Sequence, residues 1–292
     1  WDEPVRTYLP SFTMHDDYVS REMTPRDLVC HRSGLPRHDL LWYGSSFSRK
    51  ELFDRLRYLE PNVGFRSEFQ YQNLMFMTAG YLAGEVKGTT WEALVRDRIF
   101  GPLGMTNSTL SVEDMQRAPD FSYGYEKKKN EKTKADEIVR MPFKNIDAVG
   151  PAGSINSCAA DMAKWVALHM GDGMAGGKQV VTGATLAELH RPQTIVHGGM
   201  LSQLLQQPEM PHIMYALGWF VQPYRGHEMI HHGGNIDGFS AFVAFMPDDR
   251  VGIAILTNAN GTAFTQAVAL TAFDRFIGAE KTDWNERFLA AW

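Results

Sequence analysis

The fold is decided by residues 219–257, WFVQPYRGHEMIHHGGNIDGFSAFVAFMPDDRVGIAILT. Four short runs rich in aromatic and β-branched residues stand in this stretch, and glycines or a Pro-Asp-Asp turn separate them. Such runs with short connections are typical of consecutive antiparallel strands. We therefore predict a meander whose strands cover 219–224, 228–232, 239–246 and 251–257.

Helical patterns flank this meander on both sides. Downstream, residues 263–277 carry apolar residues at helical spacing and would pack on one face of the sheet. Upstream, residues 24–125 are predicted to be mainly helical. The predicted helices there run from Thr24, an N-cap, to Gly34, over 49–58, over 74–86, and over 91–99 before Gly101-Pro102. A loop-rich stretch to about 153 and helices at 161–169 and 184–189 complete the upstream part.

This order of elements predicts an α+β fold, in which helices flank an antiparallel sheet. We predict a single domain over 1–280, with a mainly helical part over about 20–215 and a sheet part over about 216–280. Residues 281–292 are predicted to be a linker towards a possible C-terminal domain.

Composition restricts the partners of the chain. Its 292 residues include 29 basic and 34 acidic side chains, a net charge of −5, which gives no support to nucleic-acid binding. The basic run at 127–134 is predicted to be a solvated loop. The longest nearly apolar stretch, 74–84, is shorter than the ~18 residues that cross a bilayer, so we expect no transmembrane segment. No nucleotide, dinucleotide or calcium-binding motif occurs, and we predict no cofactor.

One segment has the letters of a metal site. Residues His227, Glu228 and His231 match H-E-x-x-H, the helical zinc-peptidase signature. Because Gly226 precedes the match and Gly233 follows it within a predicted strand, we favour a chance match. A zinc peptidase nevertheless stays as an alternative function.

Two further groups of residues are candidates for chemistry. Tyr71-Gln72-Asn73 opens the predicted helix over 74–86, and a tyrosine there is either a core-edge residue or a proton carrier. Residues 231–239, HHGGNIDGF, are either a glycine-rich turn or a strand edge against which a ligand can lie. Adjacent strand residues point to opposite faces, so His231 and His232 are expected to have different roles.

Taken together, six ordered segments resemble the penicillin-recognising serine hydrolases, which include serine β-lactamases, DD-peptidases, D-aminopeptidases and β-lactamase-like esterases. The segments are 27–36 (DLVCHRSGLP), 71–73 (YQN), 101–105 (GPLGM), 150–153 with 161–163 (GPAG and DMA), 217–219 (LGW) and 231–239. The resemblance implies a β-lactamase/transpeptidase-like fold. It also implies acyl transfer through a serine acyl-enzyme, in which the serine belongs to an S-x-x-K motif.

The resemblance assigns roles to residues of this chain. Tyr71 would carry the proton between the nucleophile and the leaving group, and Asn73 would bind the acyl side of the substrate. His232-Gly233-Gly234 matches the third motif, usually K-T-G, and the two glycines would line the substrate. The N–H of Asn235 would be one oxyanion donor.

The third motif departs from the family pattern in two ways. His232 replaces a cationic lysine, and Gly233 replaces a hydroxyl residue that in many members helps to bind a carboxylate. Both changes weaken recognition of an anionic β-lactam. Among small-molecule ester, amide, peptide and β-lactam substrates, we therefore favour esters, small amides and D-amino-acid derivatives.

The chain also lacks the S-x-x-K motif of the family, because none of its serines is followed by lysine at the third position. By resemblance, the nucleophile helix and the first sheet strands would lie upstream of Trp1, on a missing N-terminal segment of the same protein. The chain alone is then expected to be inactive. A non-catalytic binding or assembly protein stays as an alternative. The resemblance also implies a periplasmic or extracellular location.

Overall fold

The computed structural model describes residues 1–197 and 207–291 and contains the predicted antiparallel sheet. Six strands lie side by side in the order β10, β9, β8, β7, β6, β5, and all neighbours are antiparallel. Two separate hairpins, β1–β2 and β3–β4, lie outside it. The strands are β1 (Tyr125–Lys129), β2 (Asp136–Arg140), β3 (Met174–Ala175), β4 (Lys178–Gln179), β5 (Thr194–Ile195), β6 (Met214–Tyr215), β7 (Phe220–Tyr224), β8 (His227–Ile236), β9 (Phe239–Met246) and β10 (Val251–Thr257).

The four predicted strands are confirmed, and β9 and β10 have the predicted bounds. Strand β8 is longer than predicted, because Gly233 and Gly234 continue the ladder with β9 instead of forming the turn. The turn comes later, at Gly238, whose φ of 87° favours glycine. The glycines of the third motif therefore lie in a strand.

Helices surround the sheet and form most of the chain before it. Those described are α1 (Val5–Tyr8), α2 (Asp17–Glu22), α3 (Pro25–Leu28), α4 (Asp39–Trp42), α5 (Arg49–Arg55), α6 (Asn73–Lys87), α7 (Trp91–Val95), α8 (Gly101–Leu103), α9 (Val112–Arg117), α10 (Ala159–Met170), α11 (Gly183–His190), α12 (Phe264–Phe276) and α13 (Trp284–Ala291).

The sheet is covered on two faces by helices α10 and α12. Alternate residues of β9 point to opposite faces, as the pleat requires. Phe242 packs in the cluster that contains Leu270 of α12, whereas Phe245 packs in the cluster that contains Val166 of α10. A separate apolar core holds α1, α2, α3, α5 and α6 together. The layers therefore place a helical part beside a helix-covered sheet.

The predicted helix from Thr24 to Gly34 is wrong beyond its first turn. Thr24 is the N-cap, and Asp27 completes a capping box, but α3 ends at Leu28. His31 adopts a left-handed φ of 56°, which a helix cannot contain. Its buried ring accepts a hydrogen bond from the Gln72 N–H at 3.0 Å, so a contact distant in sequence overrides the local pattern.

The predicted end of the helix over 91–99 is also wrong. After α7, the chain continues through a π-helical turn, Arg96–Phe100, into α8. The wide turn leaves Pro102 in a first-turn position, where proline costs no hydrogen bond. The segment ends at Gly104, with a φ of 63°.

Two segments that were predicted to be a loop and a linker contain regular secondary structure. The basic run at 127–134 lies on the β1–β2 hairpin, where Lys127 pairs with Asp136 at 2.7 Å, and this hairpin is solvated as predicted for the run. The predicted linker over 281–292 contains α13, and its Trp284 is fully buried and donates to Asp274 at 2.7 Å. A domain beyond this helix, and the division of the chain near residue 216, stay predictions.

Candidate active site

Tyr71 directly precedes Gln72, the N-cap of α6, in a segment held by hydrogen bonds. Gln72, the N-cap, accepts from the Leu74 N–H at 2.9 Å and donates its side-chain amide to the Pro36 carbonyl at 2.6 Å. The Gln72 N–H donates to His31. Three hydrogen bonds at one residue thus fix the backbone that carries Tyr71 and Asn73.

The Tyr71 ring is enclosed by groups from three parts of the chain. Its centroid is 4.2 Å from that of His31 and 6.1 Å from that of His232, and the Arg37 guanidinium lies 5.0 Å above it. Burial raises the pKa of the Tyr71 phenol, Arg37 acts in the opposite direction, and Asp39 adds to the rise. The resting phenol is therefore a neutral hydrogen-bond donor at neutral pH.

His232 projects from β8 towards Tyr71 and contacts Tyr215 of β6. Its Nε2 lies 3.2 Å from the Tyr215 hydroxyl, and its Nδ1 lies 2.6 Å from the Gly233 carbonyl oxygen. Burial lowers the pKa of the His232 imidazole, and the hydrogen bond to Gly233 opposes this in part. At neutral pH, the position that corresponds by resemblance to the lysine of K-T-G is thus uncharged.

Part of the edge of β8 is open at this point. Strand β7 pairs with β8 as far as Phe220 opposite His231, whereas β9 continues alone to Phe239 opposite Ile236. Among the described residues 1–197 and 207–291, residues 232–236 therefore have a strand partner on one side only. Gly233, Gly234 and Asn235 lie on this open stretch, where a substrate backbone can approach.

The two asparagines have partners of their own. The Asn73 amide lies 3.3 Å from Asp39 Oδ1, and the same carboxylate accepts from Arg37 at 2.6 Å. The Asn235 side chain accepts from the Ser240 hydroxyl at 2.7 Å, which leaves its backbone as the part that can face the open edge. The structure thus brings Tyr71 and His232 together, with Asn73 two residues after Tyr71 and Asn235 three residues after His232.

Sequence reasoning missed three neighbours of Tyr71 and His232. His31 is 1% exposed, and its pKa is held well below the usual range by burial, with smaller effects of His232 and Arg37. Tyr215 is fully buried between His31 and His232. Arg37 and His31 fall in or beside the segment 27–36 that contributed to the resemblance, but nothing in the local sequence places them beside Tyr71.

A contact crosses from the helical part to the β8–β9 turn. The Tyr43 hydroxyl donates to the Asp237 carboxylate, with distances of 2.6 and 2.7 Å to its two oxygens, and Lys144 lies 5.3 Å from the Tyr43 ring. Hydrogen bonding to Asp237 raises the pKa of Tyr43 to about 12. This contact joins the loop after α4 to the end of the open strand edge.

The zinc-peptidase alternative is wrong for this structure. The H-E-x-x-H letters lie on β8 and not on a helix. Strand residues four apart are separated by about 13 Å, too far for His227 and His231 to share a zinc ion whose ligand bonds are about 2 Å. His227 contacts Asp249 at 2.8 Å and His231 contacts Gln222 at 2.6 Å, so each histidine has its own protein partner.

Comparison with known proteins decides the family. The family model described as Beta-lactamase matches residues 1–273. The chain belongs to the beta-lactamase family. The resemblance seen in the six ordered segments is thereby confirmed, as is the α+β fold with an antiparallel sheet and flanking helices.

Relatives within the beta-lactamase family include hydrolases. An unguisins hydrolase of Aspergillus campestris is 29% identical over 300 residues, which cover 98% of this chain and 53% of that protein. Penicillin-binding protein 4 of Amycolatopsis lactamdurans is 25% identical over 258 residues, which cover 88% of this chain and 65% of that protein. The chain spans about half the length of the unguisins hydrolases it matches.

Solved structures show the same beta-lactamase fold. The octameric penicillin-binding protein homologue from Pyrococcus abyssi superposes with a TM-score of 0.77 at 20% identity, over 99% of this chain and 64% of that one. The D-amino acid amidase from Ochrobactrum anthropi superposes with a TM-score of 0.66 at 19% identity, over 95% and 83%. Within residues 1–197 and 207–291, no helix has the length and apolar character to cross a bilayer.

Proposed function

We propose that this chain is the larger part of a serine hydrolase that transfers acyl groups through a serine acyl-enzyme. The proposal rests on one observation: the ring centroids of Tyr71 and His232 lie 6.1 Å apart, beside the open stretch of β8. Acyl transfer requires a group that carries a proton, and Tyr71 is placed to do so. It also requires hydrogen-bond donors for the substrate, which the unpaired edge of β8 can supply.

Tyr71 is proposed to move the proton. Its raised pKa keeps the phenol protonated at rest, so Tyr71 must lose that proton to the surroundings or to the lysine of S-x-x-K before it serves as the base, and it then returns a proton to the leaving group. Arg37, 5.0 Å from the ring, favours the phenolate, and a lysine on the nucleophile motif would add a second positive charge. The base is thus activated by cations and not by His232, whose pKa is lowered.

The asparagines are proposed to hold the substrate. Asn235 would donate its backbone N–H to the oxyanion from the open edge of β8, with the N–H of the nucleophile as the second donor. Asn73 would bind the acyl side through its amide, which Asp39 already orients at 3.3 Å. Gly233 and Gly234 would let the substrate approach the strand without a side-chain clash.

The substrate is proposed to be an ester, a small amide or a D-amino-acid or peptide derivative without a carboxylate at the third motif. His232 is uncharged at neutral pH and Gly233 has no hydroxyl, so this edge offers an anionic substrate neither a cation nor a side-chain donor. Among its similar proteins, the name of an unguisins hydrolase is consistent with hydrolysis, and the name of a D-amino acid amidase is consistent with amide cleavage. β-Lactams, which carry a carboxylate, are expected to be poorer substrates.

The nucleophile is proposed to come from a further segment of the same protein, because no serine here belongs to S-x-x-K. Strand β10 is the edge of the six-stranded sheet, yet it is apolar at nearly every position and lies between α10 and α12. A strand with apolar residues on both faces is typical of the inside of a sheet. We place the docking point of that segment at the free side of β10.

Intact-mass measurement after incubation with a fluorophosphonate or a penicillin tests the proposal. The 292-residue chain is expected to gain no adduct, and the longer protein that carries an S-x-x-K serine is expected to gain one. Stoichiometric labelling of a serine within the 292 residues would disprove the assignment. A longer protein that has no such motif and takes no label would favour the non-catalytic binding protein.

A further inference from the structure

The hydrogen bonds around His232 determine which of its nitrogens carries the proton. The Nδ1 atom lies 2.6 Å from the Gly233 carbonyl oxygen, and a carbonyl can only accept. The Nδ1 atom must therefore be the donor. A neutral imidazole carries one N–H, so Nε2 is then an acceptor with a free lone pair.

The partner of Nε2 is the Tyr215 hydroxyl, 3.2 Å away. A hydroxyl can donate or accept, and here the acceptor nitrogen requires it to donate. Within the part of the chain that the structure describes, the titratable rings near His232 are Tyr71, Tyr215, His231 and the buried His31. None of them is an anion at neutral pH, so none favours a protonated imidazole. Burial also lowers the pKa of His232.

We propose that Tyr215 is a positioning residue of the site, whose hydroxyl holds His232 as the neutral Nδ1–H tautomer and, through it, orients the Gly233 carbonyl beside the open edge of β8. The lone pair of Nε2 is then occupied, so His232 is not the base of the reaction. Its Nδ1–H fixes the Gly233–Gly234 peptide, next to the residue whose N–H is assigned to the oxyanion. This catalytic consequence rests on the proposed function, but the tautomer does not.

The structure explains why Tyr215 can hold this geometry. Its side chain is fully buried. Its ring centroid is 4.7 Å from that of Phe220, 5.3 Å from that of Phe69 and 4.7 Å from that of His31. Such packing leaves the phenol little freedom to rotate away from His232. Burial raises the pKa of Tyr215 well above its usual value, so the hydroxyl keeps its proton as a donor.

Long-range ¹H–¹⁵N correlation spectra of the ¹⁵N-histidine-labelled 292-residue chain test the proposal directly. His232→Gln identifies the resonances of His232 by their loss. At pH 7.5, we expect the wild-type spectrum to show His232 protonated at Nδ1 only. A spectrum that shows His232 protonated at Nε2, or at both nitrogens, would overturn the proposal without reference to any enzymatic activity.

The variant Tyr215→Phe then tests the role of the hydroxyl, since it removes only the oxygen from a packed ring. The Nε2 resonance is expected to move towards that of a non-bonded imidazole nitrogen. The pKa of His232 is expected to rise by about half to one pH unit, because a hydrogen bond that favours the neutral form is lost.

The matched control is Tyr224→Phe. Tyr224 is equally buried, but its hydroxyl donates to Asp274 in the core under α12, so the His232 signals are expected to stay as in the wild type. If Tyr215→Phe leaves the shifts and the pKa of His232 unchanged, Tyr215 has only a packing role. If that variant does not fold, the Nε2 shift of the wild type decides the proposal: a shift typical of a hydrogen-bonded acceptor nitrogen supports the role of Tyr215, and a shift typical of a non-bonded nitrogen overturns it. Labelling by a fluorophosphonate tests the proposed function separately.

Discussion

The two ends of β8 carry the same kinds of residue and differ in their partners. Near the start, His227 and His231 pair with Asp249 and Gln222, and the strand lies against β7. Near the end, β7 is no longer present, and His232 contacts Tyr215 beside an open strand edge. The histidines of this strand are therefore structural where its backbone is paired on both sides, and they are candidates for chemistry where its backbone is open on one side.

The buried pair of His169 and His190, away from β8, supports this distinction. His169 Nδ1 lies 2.9 Å from His190 Nε2, and the rings of Trp165, Trp219 and Phe245 surround His169. Burial lowers the pKa of His169 to about 3 and that of His190 to about 4. Their strongly lowered pKa values reflect packing, so a lowered pKa alone does not mark the site.

The largest expected effect is that of Tyr71→Phe in the longer protein that we propose to carry the nucleophile. Removal of the phenol hydroxyl removes the proposed proton carrier, and general acid–base steps contribute about 10²–10⁴-fold. We expect kcat to fall by that factor while the fold is retained. Tyr58→Phe is the control, because Tyr58 is 73% exposed and has no part in the proposed mechanism. Turnover of Tyr71→Phe within a few-fold of wild type would remove Tyr71 from the mechanism.

A pair of alanine variants separates the two ends of β8. His231→Ala creates a cavity at a fully buried position and is expected to lower the free energy of unfolding by about 2–4 kcal/mol. His232→Ala, at a half-buried position, is expected to cost about 1–2 kcal/mol. Urea denaturation of the chain measures both values.

The two alanine variants are expected to rank in the opposite order when their activity, and not their stability, is measured. In the longer protein, His232→Ala should lower kcat/KM by about tenfold or more. A tenfold loss corresponds to about 1.4 kcal/mol, which is the contribution of about one hydrogen bond. Folded His231→Ala should stay near wild type. Equal losses of activity in the two variants would contradict the division of β8.

Acid pH is expected to destabilise the chain through its buried histidines. The pKa values of His169, His190 and His231 are lowered by burial to about 3, 4 and 3, from an ordinary value of 6.5. Between pH 6.5 and 4, the unfolded state therefore binds protons that the folded state does not. The free energy of unfolding falls as pH falls through this window, by about 1.4 kcal/mol per pH unit for each histidine.

Urea denaturation at a series of pH values measures this slope. The variant His231→Gln is expected to reduce it by about one proton, because one buried histidine is absent. A free energy of unfolding that is constant between pH 6.5 and 4 would show that these histidines are already protonated in the folded state.

The smallest expected effect concerns the contact between Tyr43 and Asp237. Asp237→Asn removes the anion that raises the pKa of Tyr43 to about 12, so that pKa is expected to return towards 10. The stability change should stay below about 1 kcal/mol, because both groups are partly exposed. Difference absorbance titration, with Tyr43→Phe to identify the signal, measures the shift. An unchanged Tyr43 titration would show that the contact does not persist in solution.

Much of the fold could be predicted because its signals are local. The runs at 239–246 and 251–257 are strongly β-branched or aromatic, and turn residues bound them, so both strands have the predicted limits. The helix after Thr24 failed because the left-handed His31 is fixed by the Gln72 N–H, forty-one positions away. Gly233 and Gly234 were compatible with a turn, and only pairing with β9 places them in a strand.

The candidate site was predictable only in part. Tyr71 and His232 came together through a resemblance between ordered segments, and the structure places their rings near each other. Tyr215 and Arg37 could not be identified, because a neighbour in space leaves no mark on the local sequence. The open edge of β8 is likewise a property of register, since it depends on where β7 ends.

The decisive measurement is a crystal structure of the longer protein after fluorophosphonate labelling. We expect the labelled serine to lie on the added segment, with its Oγ within about 3 Å of the Tyr71 hydroxyl. We also expect the phosphoryl oxygen to accept from the Asn235 N–H at the open edge of β8. A labelled serine elsewhere, with Tyr71 and Asn235 out of contact with the adduct, would contradict the account.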